Sequence, residues 1–132
     1  MAIDFGKKRI GLAVTDPMQM IAQPLTTIDN YAIFNYLKDY VAREQVELFV
    51  LGAPKHLDGS DTDATPLVQK FEVKLRTVFP DIPVVLVDER LTSRMAKQAL
   101  IDAGYKKTDR RNKKLVDTVA AALILQSYLE IK

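Results

Sequence analysis

The sequence predicts an α/β fold in which a mixed five-stranded sheet, three strands antiparallel and two parallel, is flanked by helices. Three observations carry this reading. Three strand-like segments joined by short turns come first, most simply as an antiparallel meander. Two near-continuous apolar runs follow, Leu48-Phe49-Val50-Leu51 and Val84-Val85-Leu86-Val87. These alternate with amphipathic helices, as parallel strands with crossovers do, and strands of that kind are usually buried on both faces. The predicted order is β-β-β-α-β-α-β-α-α.

The strands are expected over 1–5, 10–16, 22–28, 47–52 and 83–88. A tight turn over Gly6 to Arg9 joins the first two and sets Asp4 opposite Gly11. Asp16, just before Pro17, reads as a turn partner. A helix over 31–45 follows Asp29-Asn30 as its cap and places Ile33, Leu37, Tyr40 and Val41 on one face. A second over 65–79 has Thr65 as cap and Pro66 in its first turn. Its stripe is Leu67, Val68, Phe71, Leu75, Val78 and Phe79. A third helix spans about 92–103 and ends at Gly104, and a fourth covers about 113–130. His56 reads as a loop residue and Asp58, in Leu57-Asp58-Gly59-Ser60, as a turn residue.

A chain of 132 residues is expected to form one domain, 1–132, with a real core. Its 48% hydrophobic and 27% charged residues are ordinary for a globular protein. The absence of cysteine excludes disulfides and thiolate metal sites, and a single histidine argues against zinc. With no signal peptide and no apolar run of spanning length, a cytoplasmic protein without membrane contact is expected. The net charge of +2 does not by itself imply nucleic acid. Its distribution says more, because residues 104–114 hold six basic residues and one acid. That stretch is either a cationic surface for phosphates or a solvated loop.

The opening hairpin places an acid at the end of a strand, a glycine across from it and three basic residues beside it. Glycine leaves room for a metal ion or a phosphate near the backbone. If the strands at 1–5 and 83–88 run in parallel, Asp4 and Glu89 share the carboxyl edge of the sheet, where ligands of open α/β sheets bind. Helical spacing from Asp117 meets Ala120, Ala121 and Ile124, a small apolar face that can pack closely on the sheet. A carboxylate there needs a cation partner, or protonation, to offset its burial. Three acids without thiol or imidazole suit Mg²⁺ or Mn²⁺. Two such ions about 4 Å apart can activate a water and stabilise the leaving oxygen of a phosphodiester. Asp4, Glu89 and Asp117 are thus the candidate catalytic and metal-binding residues. Lys7, Lys8, Arg9, Arg90, Lys106, Lys107, Arg110 and Arg111 are the candidate phosphate contacts. Each acid also has a plain structural reading: Asp4 as a turn residue, Glu89 with Arg90 as a surface ion pair, and Asp117 as an acid favoured by the helix dipole.

The segments IDFGKKRIGLAVTDP (3–17), IAQPL (21–25), VLGAPKHLDGS (50–60), FEVKLRTVFPDIPVVLVDERLTS (71–93) and KKLVDTVAAALILQSYL (113–129) together resemble the YqgF/RuvX family. These are nucleases related to Holliday-junction resolvases, and the resemblance covers nearly the whole chain in order. It implies a ribonuclease H-like fold, with the acidic triad on Asp4, Glu89 and Asp117. It also implies a substrate of structured RNA, in particular the 5′ end of the 16S ribosomal RNA precursor, or of branched DNA.

Three functions stay in play. The first is a metal-dependent endonuclease. The second is a phosphate-binding kinase half, since actin-like kinases share an Asp-x-Gly hairpin, although they need two lobes. The third is a catalytically silent nucleic-acid-binding module. Junction resolution would need two active sites and hence a homodimer, whereas RNA trimming is open to a monomer. The aromatic residues fall mostly in helix stripes and there is no tryptophan, so no base-stacking platform is expected. Recognition should then rest on backbone charge and nucleic-acid shape.

Overall fold

The computed structural model describes residues 1–16, 18, 21–53, 65–88 and 113–131. Its strands are β1 (Ala2–Asp4), β2 (Arg9–Thr15), β3 (Ala22–Asp29), β4 (Phe49–Ala53) and β5 (Val84–Asp88). Its helices are α1 (Ile33–Arg43), entered through a 3-10 turn at Asn30–Ala32, then α2 (Thr65–Val78) and α3 (Lys113–Ile131). The strands form one sheet in the order β3-β2-β1-β4-β5. The β1-β2-β3 meander is antiparallel, and β4 and β5 run parallel to β1. This is the predicted mixed sheet.

Side chains alternate across it, as a pleated strand dictates. Ile3, Ile10, Leu12, Phe49 and Leu51 face one side, where Ile33 and Leu37 of α1 and Val68, Phe71 and Leu75 of α2 cover them. Ala2, Ala13 and Val50 face the other, under Ala121, Ile124 and Leu125 of α3. Large residues meet two helices on one face, and small residues let a single apolar helix lie close on the other. Leu75 is fully buried, so Leu75→Ala should cost about 2–5 kcal/mol. Among the described residues, no helix is long and apolar enough to cross a membrane.

Three local expectations are corrected. Asp29 and Asn30 make no side-chain cap, because the 3-10 turn intervenes and Ala32 stands at the N-cap of α1. The Asn30 amide instead donates to the Gly6 carbonyl at 2.7 Å. Leu67 lies on the exposed side of α2 and outside its buried stripe. β5 is an edge strand with Leu86 48% exposed, so burial on both faces holds for the centre of β4 but not for β5. Tyr31 is 88% exposed, because the 3-10 turn sets it off the α1 stripe. The helix expected at 92–103, and the loop assignments of His56 and Asp58, lie outside the described residues.

The remaining joints are specific. Asp16 closes the β2–β3 turn as expected, accepting from the Ile21 amide at 2.8 Å and the Met18 amide at 3.2 Å. A bulge between Leu12 and Ala13 accommodates Pro24 on β3, an edge strand where a missing N–H is tolerated. Arg76 of α2 donates to the Val84 carbonyl at 2.9 Å and so fixes the start of β5.

Candidate active site at the carboxyl edge of the sheet

Strand register builds the site. Asp4 pairs with Gly11 and Gly11 with Thr27, so the three form one row across β1, β2 and β3. Ala2 packs under α3, and Asp4, two residues on, faces the same side. Asp117 meets that row from above. A Cβ placed on Gly11 would collide with the Asp117 carbonyl oxygen and lie 2.6 Å from its carbon and 3.3 Å from its Cβ. Gly11 is therefore the seat on which α3 rests. Gly11 thus borders both Asp4, its partner across β1–β2, and the Asp117 turn of α3, 113 positions apart in the chain.

The helix is fastened there by side chains. Thr27 Oγ1 and Thr118 Oγ1 share a hydrogen bond at 2.5 Å. Arg9 Nε donates to Asp117 Oδ2 at 3.2 Å, in an ion pair with side chains 25% and 27% exposed. Arg9 lies two residues before Gly11 on β2 and so shares the face of α3. The cation that a carboxylate in this position requires is supplied by Arg9. Ala120, Ala121 and Ile124 are buried, as the spacing from Asp117 predicted.

The hairpin turn is pinned as well. The Asn30 backbone N–H donates to the Lys8 carbonyl at 2.8 Å, beside the side-chain bond to Gly6. This holds Lys7 and Lys8, both exposed, at the rim. Lys7, Lys8 and Arg9 therefore divide: two face solvent from the turn, and the third is committed to Asp117. Sequence reasoning missed Thr27, Thr118 and Asn30. An Asn after the strand was legible only as a cap, and two threonines 91 residues apart carry no local signal.

Glu89, Arg90, Lys106, Lys107, Arg110 and Arg111 lie outside the described residues. Parallel β1 and β5 are now established, and β5 ends at Asp88, one residue before Glu89, at the edge where β1 ends at Asp4. Among the described residues no group of three metal-ligating side chains occurs.

Residues 1–131 match the model of the RuvX family, described as Holliday junction resolvase. This chain belongs to the RuvX family. Relatives that share its length agree. A protein of Porphyromonas gingivalis is 49% identical over 98% of this chain and 94% of its own length. One from Phocaeicola vulgatus is 48% identical over 100% and 95%, and one from Flavobacterium psychrophilum 46% identical over 100% and 96%. All three carry the name "Putative pre-16S rRNA nuclease". RuvX membership makes the sheet a ribonuclease H-like one and the protein a nuclease, a hydrolase of phosphodiester bonds. The match runs through every element at the carboxyl edge, from the hairpin to α3.

Proposed function

We propose that this chain is a divalent-metal-dependent endonuclease that processes the 5′ end of the 16S ribosomal RNA precursor. The observation that supports the reading is that Gly11 is paired with Asp4 and lies against the backbone of Asp117. The relatives' names point to the substrate. The donor set fits a hard cation, carboxylate oxygens with no thiol, although the ion would share Asp117 with the Arg9 guanidinium. Asp4 and Asp117 would hold Mg²⁺ or Mn²⁺, with Glu89 as the third ligand. When bound, the ion supplies Lewis-acid stabilisation of phosphate charge and lowers the pKa of water.

The chain's own groups do the rest. Arg9 orients the Asp117 carboxylate. The Thr27–Thr118 pair and Gly11 fix the height of α3 above the sheet. Lys7 and Lys8 offer ammonium groups to the substrate backbone, and Arg90, Lys106, Lys107, Arg110 and Arg111 extend that role. We further propose a single domain acting in the cytoplasm, as a monomer on RNA.

The family's description favours a second reading, resolution of four-way DNA junctions by a homodimer. Single-turnover cleavage of a precursor 5′-end RNA and of a four-way junction, with the mass in solution measured alongside, separates the two. RNA cleavage by a monomer supports the proposal. Symmetric paired nicks in the junction by a stable dimer, with the RNA untouched, would replace it.

A further inference from the structure

On the face opposite α3, next to the hairpin turn, a groove of about 460 Å³ opens between the 3-10 turn, α1 and α2. Its lining includes Lys38, Lys70 and Lys74 and, among the described residues, no carboxylate. Tyr31, 88% exposed, stands on its wall. Lys74 Nζ lies 4.5 Å from the centre of the Phe34 ring, so that ring presents a face to a cation. These groups do not serve the core: the three lysines and Tyr31 are all exposed.

The groove is joined to the candidate active site. Phe5, the residue after Asp4, lines it, and so does Asn30, which holds the turn carrying Lys7 and Lys8. The Phe5 and Phe34 rings both pack on Phe71, at 5.1 and 5.3 Å between centres. The groove therefore reaches Phe5, the residue beside Asp4.

A groove that combines ammonium groups with an open aromatic side chain has the chemistry of a single-strand binding track. There backbone phosphates meet cations and a base stacks on a ring. We infer that this groove holds an unpaired nucleic-acid strand running from the cleavage edge over the Lys7-Lys8 turn, with phosphates on Lys38, Lys70 and Lys74 and a base stacked on Tyr31. The inference rests on the nuclease reading for the source of the strand. It replaces the expectation that the chain has no stacking platform: Tyr31 was counted with a helix, and the 3-10 turn frees it.

Binding is tested without cleavage, in the Asp4→Asn background with EDTA, by fluorescence anisotropy of a labelled twelve-nucleotide oligouridylate and of a blunt RNA duplex. Tyr31→Ala should weaken oligouridylate binding roughly five- to a hundredfold. Tyr31→Phe, which keeps the ring, should retain binding. The triple change Lys38→Gln, Lys70→Gln, Lys74→Gln should flatten the slope of log K against log salt by about 0.7 per lost contact, about 2 in all. Blunt-duplex binding should change far less in each case. Unchanged oligouridylate affinity in Tyr31→Ala and an unchanged slope in the triple variant overturn the inference, as they would if the groove seats a protein partner. An inactive wild-type protein would instead count against the nuclease reading and leaves this comparison intact.

Discussion

Replacing Gly11 with alanine tests the seat of α3. The added Cβ would lie 2.6 Å from the Asp117 carbonyl carbon, where ordinary contact is 3.4–4 Å. The shortfall, 3.4 − 2.6 to 4 − 2.6, is 0.8–1.4 Å. The obstacle is helix backbone, which cannot turn aside as a side chain can, so α3 must retreat by about that much. A radial gap of about 0.5–1 Å forfeits a quarter to a half of the dispersion well for each contact it opens. Ala120, Ala121 and Ile124 would all feel it. Insertions of one methyl into packed sites cost about 1–3 kcal/mol. At roughly 4 °C per kcal/mol for a chain of this size, the Tm should fall by about 4–12 °C. Asp117 moves with the helix, and a misplacement of about 1 Å at a reacting centre can cost about a hundredfold in rate. Thermal melts by circular dichroism and single-turnover cleavage with excess enzyme read the two effects. A Gly11→Ala protein with wild-type Tm and wild-type rate would refute the claim that α3 rests on Gly11 and that this contact places Asp117.

Other perturbations follow from the same geometry. Thr27→Val removes the hydrogen bond to Thr118 and should lower stability by about 1 kcal/mol in urea titration, with little change in the steepness of the transition. Asn30→Ala frees the Gly6 carbonyl and loosens the turn carrying Lys7 and Lys8; it should cost about 1 kcal/mol and weaken RNA binding, read by anisotropy. Burial lowers the Met1 amine to about 6 from 8.0, so the folded form disfavours its protonation. The unfolded chain then binds more protons between those values, and stability should rise from pH 6 to pH 8 and fall as pH drops back through 6. The gain is on the order of 2 kcal/mol in urea titrations at the two pH values, and N-terminal acetylation should abolish it.

Much of the fold was legible because apolar period and turn chemistry agreed. The runs at 47–52 and 83–88 became β4 and β5 in parallel, and the Gly6 turn set Asp4 against Gly11 in the predicted register. The helix spacing around Asp117 read correctly in part: Ala121 and Ile124 pack on the sheet, whereas Ala120 is buried beside Val116 in a separate cluster. What escaped depended on non-local pairing. Arg9 looked like the third member of a basic run, but strand alternation turns it away from the turn lysines and onto Asp117. Asn30 has the composition of a cap, yet a 3-10 turn carries its amide to Gly6 instead. Leu86 belongs to an apolar run, but only sheet order reveals that β5 has no described strand beyond it. Tyr31 was expected to open the first helix, and the 3-10 turn that stands there instead leaves it 88% exposed.

The central claim is that Asp4 and Asp117 work as one cation-binding pair in phosphodiester cleavage. The direct measurement is single-turnover cleavage of a precursor 5′-end RNA by the wild-type, Asp4→Asn and Asp117→Asn proteins, in Mg²⁺ or Mn²⁺ and in excess chelator, with folding checked by circular dichroism. Each amide keeps the shape of its acid and removes a ligand charge. Both variants should stay folded and lose cleavage, and chelator should silence the wild type. Full cleavage by Asp4→Asn, or by the wild type in excess chelator, would contradict it.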